Sequence, residues 1–158
     1  MSIKYKLYSL TTMIILVLLD QLSKGFLITY LKSTPNYVLE VLPCLDFVYA
    51  WNYGISFGLF RQYSHYSNYV FLFINSIIVV YLADFINKTH SITAQVGLTF
   101  IIGGAMGNIL DRLFQGAVFD FIYFHYYDYS FPAFNLADSF ITIGAILYIY
   151  QYCFKSKK

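Results

Sequence analysis

The sequence predicts an all-α integral membrane protein: four transmembrane helices, with a small extracytoplasmic β-rich loop region between the first and second. Three observations carry that prediction. Of the 158 residues, 59% are hydrophobic and 11% charged, where a soluble domain carries about 25% charged residues. Apolar runs recur at lengths able to cross a hydrocarbon core about 30 Å thick, for which roughly 20 helical residues suffice. Mean hydropathy is +0.60, and the formal net charge is only +2. The basic residues gather at chain ends and turns instead of forming a stripe, which argues against a nucleic-acid partner. There is no room for a large extramembrane domain, so residues 1–158 read as one membrane-embedded domain.

The first span runs from about Tyr8 to Tyr30. Lys4 and Lys6 ahead of it imitate a secretory signal, but no small-residue cleavage site follows, and Asp20 and Lys24 interrupt the apolar run. It therefore reads as an uncleaved helix. The connection over about residues 31–66 holds Pro35, Pro43, Gly54 and Gly58 among Val, Tyr, Phe and Trp51, a composition suited to short strands and turns. The second span, about Ser67 to Asn87, is followed by a tight turn. The third, about Ala94 to Leu113, leads into a connection over about 114–133, and the fourth runs from about Phe134 to Phe154. Lys4, Lys6, Lys88, Lys155, Lys157 and Lys158 then fall on one side, against Lys32 and Arg61 on the other, so both termini are expected in the cytoplasm. Asn87-Lys88-Thr89 matches a glycosylation acceptor but lies in a turn expected to be cytoplasmic, so that match is discarded.

Depth along these helices sorts the polar residues. Asp20 lies about 18 Å and Lys24 about 24 Å beyond Tyr8, both in the outer half of the first span. The third span runs the same way, putting Asn108, Asp111 and Arg112 roughly 21, 26 and 27 Å beyond Ala94. The fourth begins outside, with Asn135 at its start and Asp138 about 6 Å below its outer end. Asp120 sits in the connection between these two helices. One layer thus collects Asp20, Lys24, Asn108, Asp111, Arg112, Asp120, Asn135 and Asp138. A carboxylate beside hydrocarbon is costly enough to be a functional candidate by default, and two that can meet point to acid/base work. Asp120 and Asp138 are the pair singled out. Asp84 falls near the other end of its helix and reads as an interfacial charge that reaches water.

Each cluster also has a structural reading. Asp20 and Lys24 are four residues apart on one helical face, where an ion pair offsets part of the cost of either charge. Gly103, Gly104 and Gly107 let a neighbouring helix approach closely. Arg112 can neutralise Asp111, hold a substrate carbonyl, or bias the charge of one aspartate. Gly54-Ile55-Ser56-Phe57-Gly58 matches a nucleophile elbow in letters only, because that elbow needs an α/β hydrolase sheet. His65, His90 and His125 lack the spacing of a zinc peptidase, so no metal or other cofactor is expected. Cys44 and Cys153 are expected on opposite faces of the bilayer and so unpaired. The aromatic run around Tyr123 to Phe131 reads as an interfacial belt. A small transporter or proton-relay protein would also explain intramembrane charge, although few ionisable groups lie in the inner half; a non-catalytic assembly subunit is a further alternative.

Five ordered blocks carry a resemblance. Asp20-Gln21-Leu22-Ser23-Lys24, Asn52-Tyr53-Gly54-Ile55-Ser56-Phe57-Gly58, Gly103 through Arg112, Gly116-Ala117-Val118-Phe119-Asp120-Phe121 and Phe134-Asn135-Leu136-Ala137-Asp138 closely resemble the signal peptidase II family over nearly the whole chain. The resemblance implies a bacterial, four-helix aspartic endopeptidase of the cytoplasmic membrane. It would remove the signal peptide from diacylglyceryl-modified prolipoproteins on the N-terminal side of the lipidated cysteine. It places the catalytic aspartates at Asp120 and Asp138, and substrate-positioning or supporting residues at Asn52, Gly54, Asn108, Arg112 and Asn135, with Asp20 and Lys24 in a further signature block. The implied partners are the prolipoprotein and membrane lipid; a monomer is expected.

Overall fold

Helix α1 (Ile3–Leu31) begins the chain, and its buried residues Leu16, Asp20, Lys24, Leu27 and Leu31 form one stripe at three- and four-residue spacing. The structure is a computed structural model and describes residues 3–54 and 64–155. Ser56 of the elbow-like motif, Gly58 and Arg61 lie outside the described residues. Strands β1 (Val38–Leu42) and β2 (Leu45–Asn52) follow, then α2 (Ser64–Lys88), α3 (Ile92–Phe114), β3 (Val118–Tyr126), β4 (Tyr129–Ser130) and α4 (Leu136–Tyr150). A wider turn over Gln151–Lys155 continues α4. All four helices are long and apolar enough to cross a membrane. The first two start earlier than hydropathy alone places them, since a helix need not end where hydrocarbon ends.

Helix α3 is the centre of the bundle and touches α1, α2 and α4. Apolar area cannot drive this packing as it does in water, because lipid tails are as apolar as leucine; close van der Waals approach does the work instead. Small residues make it possible. A methyl group on Gly97 would lie 2.7 Å from the Gly144 carbonyl oxygen, and one on Gly104 would collide with the Ala137 carbonyl, so α3 and α4 meet backbone to backbone. Gly103 faces Leu16 of α1, and Gly107 faces both Asp20 and Ala137. The Gly97–Gly144 contact was not visible in the sequence, where the two glycines belong to no obvious cluster.

Gly104→Val is expected to lower stability by at least about 3 kcal/mol, since its branches meet backbone that cannot yield. Gly103→Ala, whose methyl meets mainly the flexible Leu16 side chain, should cost less than about 1.5 kcal/mol. Thermal unfolding of the two variants in detergent measures the contrast.

The sheet is antiparallel in the order β1-β2-β3-β4. Its first two strands come from the connection between α1 and α2, as composition suggests. The other two come from the connection between α3 and α4, whose aromatic run the sequence predicts as an interfacial belt. That run is instead largely strand, with Tyr126, Tyr127 and Tyr129 exposed at its turn. Ala50 pairs with Asp120 and Asn52 with Val118. This register puts Asn52 and Asp120 on the same face as diagonal neighbours, within reach of each other. The opposite face carries Tyr49, Trp51, Phe119 and Phe121, which pack around Leu27 and Leu31 of α1. Phe119 lies 5.2 Å from Trp51 and 5.3 Å from Tyr49, ring centre to ring centre.

Candidate active site

Two clamps bring Asp120 and Asp138 to one place. The first is backbone: Ile122 and Phe134 exchange hydrogen bonds of 2.8 and 3.0 Å, pinning the residue before Asn135 to the strand that carries Asp120. The second is the start of α4. Asn135 caps that helix, accepting from the Asp138 N–H at 2.9 Å, while Asp138 accepts from the Asn135 N–H at 3.3 Å. Such reciprocal bonds satisfy two backbone donors that a helix start leaves open. A third donor, the Ala137 N–H, bonds Asp20 Oδ1 of α1 at 2.9 Å.

Amide side chains then link the two carboxyl groups. Asn135 Nδ2 donates to Asp120 Oδ1 at 2.6 Å and to Asn108 Oδ1 at 3.2 Å, and Asn108 Nδ2 donates to Asp138 Oδ1 at 2.8 Å. Asn52 Nδ2 supplies Asp120 Oδ2 at 2.9 Å. The orientation of Asn108 is dictated by Lys24, a pure donor whose Nζ lies 3.1 Å from Asn108 Oδ1. With its oxygen committed there, Asn108 must turn its N–H donors toward Asp138. Asn135 is oriented in the same way by the cap it makes.

Lys24 is buried, and its ammonium finds three acceptors: Asp20 Oδ2 at 2.7 Å, Asp111 Oδ2 at 2.8 Å and Asn108. Gln21 bridges the two carboxylates, donating to Asp111 Oδ1 at 2.8 Å and Asp20 Oδ2 at 3.2 Å. Asp111 is therefore paired with Lys24 and not with Arg112. Its other role is to receive the Phe119 N–H, at 3.3 Å, which ties the start of β3 to α3. Sequence reasoning assigned nothing to Gln21, although its place between Asp20 and Lys24 was a signal.

Arg112 is buried, donates Nη1 to Asn68 Oδ1 at 3.3 Å and lies over the Phe71 ring at 5.3 Å. It makes no ion pair among the described residues. Asn68 itself was missed, because one asparagine near a helix end is unremarkable in sequence. Gly54 has φ of +93°, and a Cβ there would strike Phe71. Its N–H donates to Asn52 Oδ1 at 2.8 Å, which aims the Asn52 amide at Asp120. Gly54→Ala is thus both strained and colliding. We expect kcat/KM to fall about 10- to 100-fold in an activity assay, since such misplacement is costly at a reacting centre.

Four carboxyl groups, on Asp20, Asp111, Asp120 and Asp138, share the site with two cations, Lys24 and Arg112. Asp120 is 3% exposed whereas Asp138 is half-buried. Burial, and after it the charge of Asp138, push the Asp120 carboxyl up to about 6, against the opposing pull of the Asn52 and Asn135 amides. Because this value is raised on folding, the group favours the folded state most below about 3.8, and that contribution is lost as pH rises through about 6. The Asp120 carboxyl therefore keeps its proton to higher pH than a free one, because ionising it would place a second negative charge in a buried site.

Comparison with known proteins puts this four-helix bundle in a class, the aspartic-type membrane peptidases. A sequence profile described as signal peptidase (SPase) II matches residues 12–154, and the chain belongs to that family. The lipoprotein signal peptidase of Rickettsia akari (strain Hartford) is 54% identical over 144 residues, covering 91% of this chain and 74% of that protein. That of Rickettsia canadensis (strain McKiel) is 55% identical over 145 residues, covering 92% and 74%. A bacterial membrane enzyme solved by the in meso method at 1.9 Å has a similar fold, with a TM-score of 0.80, 31% identity and 93% of each chain covered. A second, solved at 2.3 Å, gives 0.79 at 32% identity, covering 96% of this chain and 92% of the other. Family membership and the four apolar helices make this a multi-pass inner-membrane protein.

Proposed function

We propose that Asp120 and Asp138 form the catalytic dyad of an endopeptidase that cleaves the signal peptide from diacylglyceryl-modified prolipoproteins, on the N-terminal side of the lipidated cysteine. The observation that carries this reading is the amide chain Asp120–Asn135–Asn108–Asp138, which holds both carboxyl groups in one network. The ionised member takes a proton from water as its oxygen bonds the scissile carbonyl carbon. The protonated member donates to the developing oxyanion, and when the C–N bond breaks a proton passes to the leaving amine of the cysteine. Asn52, Asn108 and Asn135 hold the carboxyl groups in register, Gly54 orients Asn52, and Arg112 positions the substrate backbone. Asp20 and Lys24 brace α1 against α3 and α4.

The substrate's lipid anchor supports the placement of the site near the extracytoplasmic face. An acyl chain buried in the leaflet holds the cut site at headgroup depth and replaces a three-dimensional search by local positioning. The excess of lysines at the other end favours cytoplasmic termini. On this reading the chain works as one membrane-embedded domain, as a monomer, and without a cofactor.

The test uses purified enzyme with a prolipoprotein in diacylglyceryl-modified and unmodified forms, with and without a chelator. Cleavage before the cysteine, confined to the modified precursor and indifferent to the chelator, is the expected result. Inactivity toward the modified precursor, or abolition by the chelator, would sink the proposal.

A further inference from the structure

Helix α2 is the outlying member of the bundle. Most of its surface is apolar and exposed, and its buried residues with described side chains are Asn68 and Ile86. An asparagine at 4% exposure on such a helix needs partners, and among the described residues both of its side-chain partners belong to one residue. Asn68 Oδ1 accepts from Arg112 Nη1 at 3.3 Å, and Asn68 Nδ2 donates to the Arg112 carbonyl at 3.2 Å. One turn further along α2, the face of Phe71 supports the same guanidinium.

Arg112 is nonetheless incomplete. It is 7% exposed, and among the described residues it pairs with no carboxylate and its buried Nε–H has no hydrogen-bond partner. A buried guanidinium without a counter-charge is costly, and a ligand oxygen brought to the fork offsets part of that cost. The neutral Asn68 oxygen holds one arm of the fork without cancelling its charge. A carboxylate at the same position would cancel it and remove the incentive to bind an outside oxygen.

We propose that Asn68 is a positioning residue for the peptidase reaction: with Phe71 it fixes the Arg112 guanidinium in the orientation in which the fork meets a backbone carbonyl oxygen of the substrate. This rests on the proposed peptidase function. The competing role is structural, because the bond from Nδ2 to the Arg112 carbonyl closes one of the free carbonyls at the end of α3. The two roles separate cleanly, since Arg112→Gln removes the guanidinium but keeps that backbone carbonyl.

The experiment is a double-mutant cycle of Asn68→Ala and Arg112→Gln, read as kcat and KM for a lipidated precursor, with thermal unfolding of each variant. Asn68→Ala alone should lower kcat/KM about 10- to 30-fold, as a misaimed group near the reacting centre does. In the Arg112→Gln background the same change should cost less than about twofold, because the two residues act as a unit. Asn68→Asp keeps the size but neutralises the fork, and is expected to be at least as impaired as Asn68→Ala. Equal losses in both backgrounds, or an Asn68→Asp variant with native kcat/KM, would overturn the inference. If Asn68→Ala does not fold, the Asn68→Asp and Arg112→Gln arms decide it. Activity that survives Asp120→Asn would instead overturn the underlying dyad, a distinguishable failure.

Discussion

Asparagine at Asp120 or at Asp138 is expected to lower turnover of a lipidated precursor by about 10⁴-fold or more, while the bundle stays folded. The proposed mechanism needs each carboxyl group in a different protonation state, so neither can stand in for the other, and an amide supplies neither base nor acid. The double variant should be little worse than either single one, as residues acting as a unit are not additive. The fold should survive because asparagine matches aspartate in shape, but it will not be untouched. Both Asp120 oxygens accept amide N–H groups, and an amide at position 120 turns its own N–H donors toward one of them. A penalty of about 1–3 kcal/mol is the scale for one such mismatch. Precursor cleavage measured beside thermal unfolding separates the two effects; cleavage within tenfold of wild type in either variant would refute the assignment.

Lys24→Met should produce the largest stability loss of any single change at the site. The ammonium bonds both Asp20 and Asp111, and all three groups are almost fully buried. Removing one partner of a buried charge cluster costs about 3–5 kcal/mol, because the remaining charges stay uncompensated. Activity should fall with it, since Asn108 loses one of the two donors that hold its oxygen and so aim its N–H at Asp138. Adding Asp111→Asn removes one of the stranded charges and should restore part of the lost stability. Unfolding in detergent measures both; a Lys24→Met variant as stable as wild type would show that the cluster does not brace the helices.

Much of this arrangement was legible in the sequence, and the parts that were not have identifiable causes. Four apolar runs and a depth count placed Asp20, Lys24, Asn108 and Asp138 in one layer, because helical rise converts sequence position directly into depth. The pairing of charges was harder. Asp111 and Arg112 are adjacent in sequence, but neighbouring residues on a helix point about 100° apart, so one meets Lys24 on α1 and the other meets Asn68 on α2. Strand β3 was hidden because Val118, Phe119, Phe121, Ile122 and Tyr123 are all apolar, which conceals the alternation. Its partner β2 lies far back in the chain. Without that pairing, nothing in the sequence explains why Asn52 reaches Asp120. Only the family resemblance linked the two.

The pH dependence of kcat/KM addresses the shared proton most directly, because it reports the free enzyme. In the proposed mechanism activity requires the singly protonated pair, whose proton is lost as pH rises through the Asp120 value of about 6. The surrounding bilayer and any further exclusion of water move that value upward, since both disfavour a second negative charge. The account predicts a bell: an acid limb where the pair takes up its second proton, and an alkaline limb with an apparent pKa at or above about 6. A rate that rises through neutrality and stays on a plateau to high pH, with no alkaline limb, would contradict it.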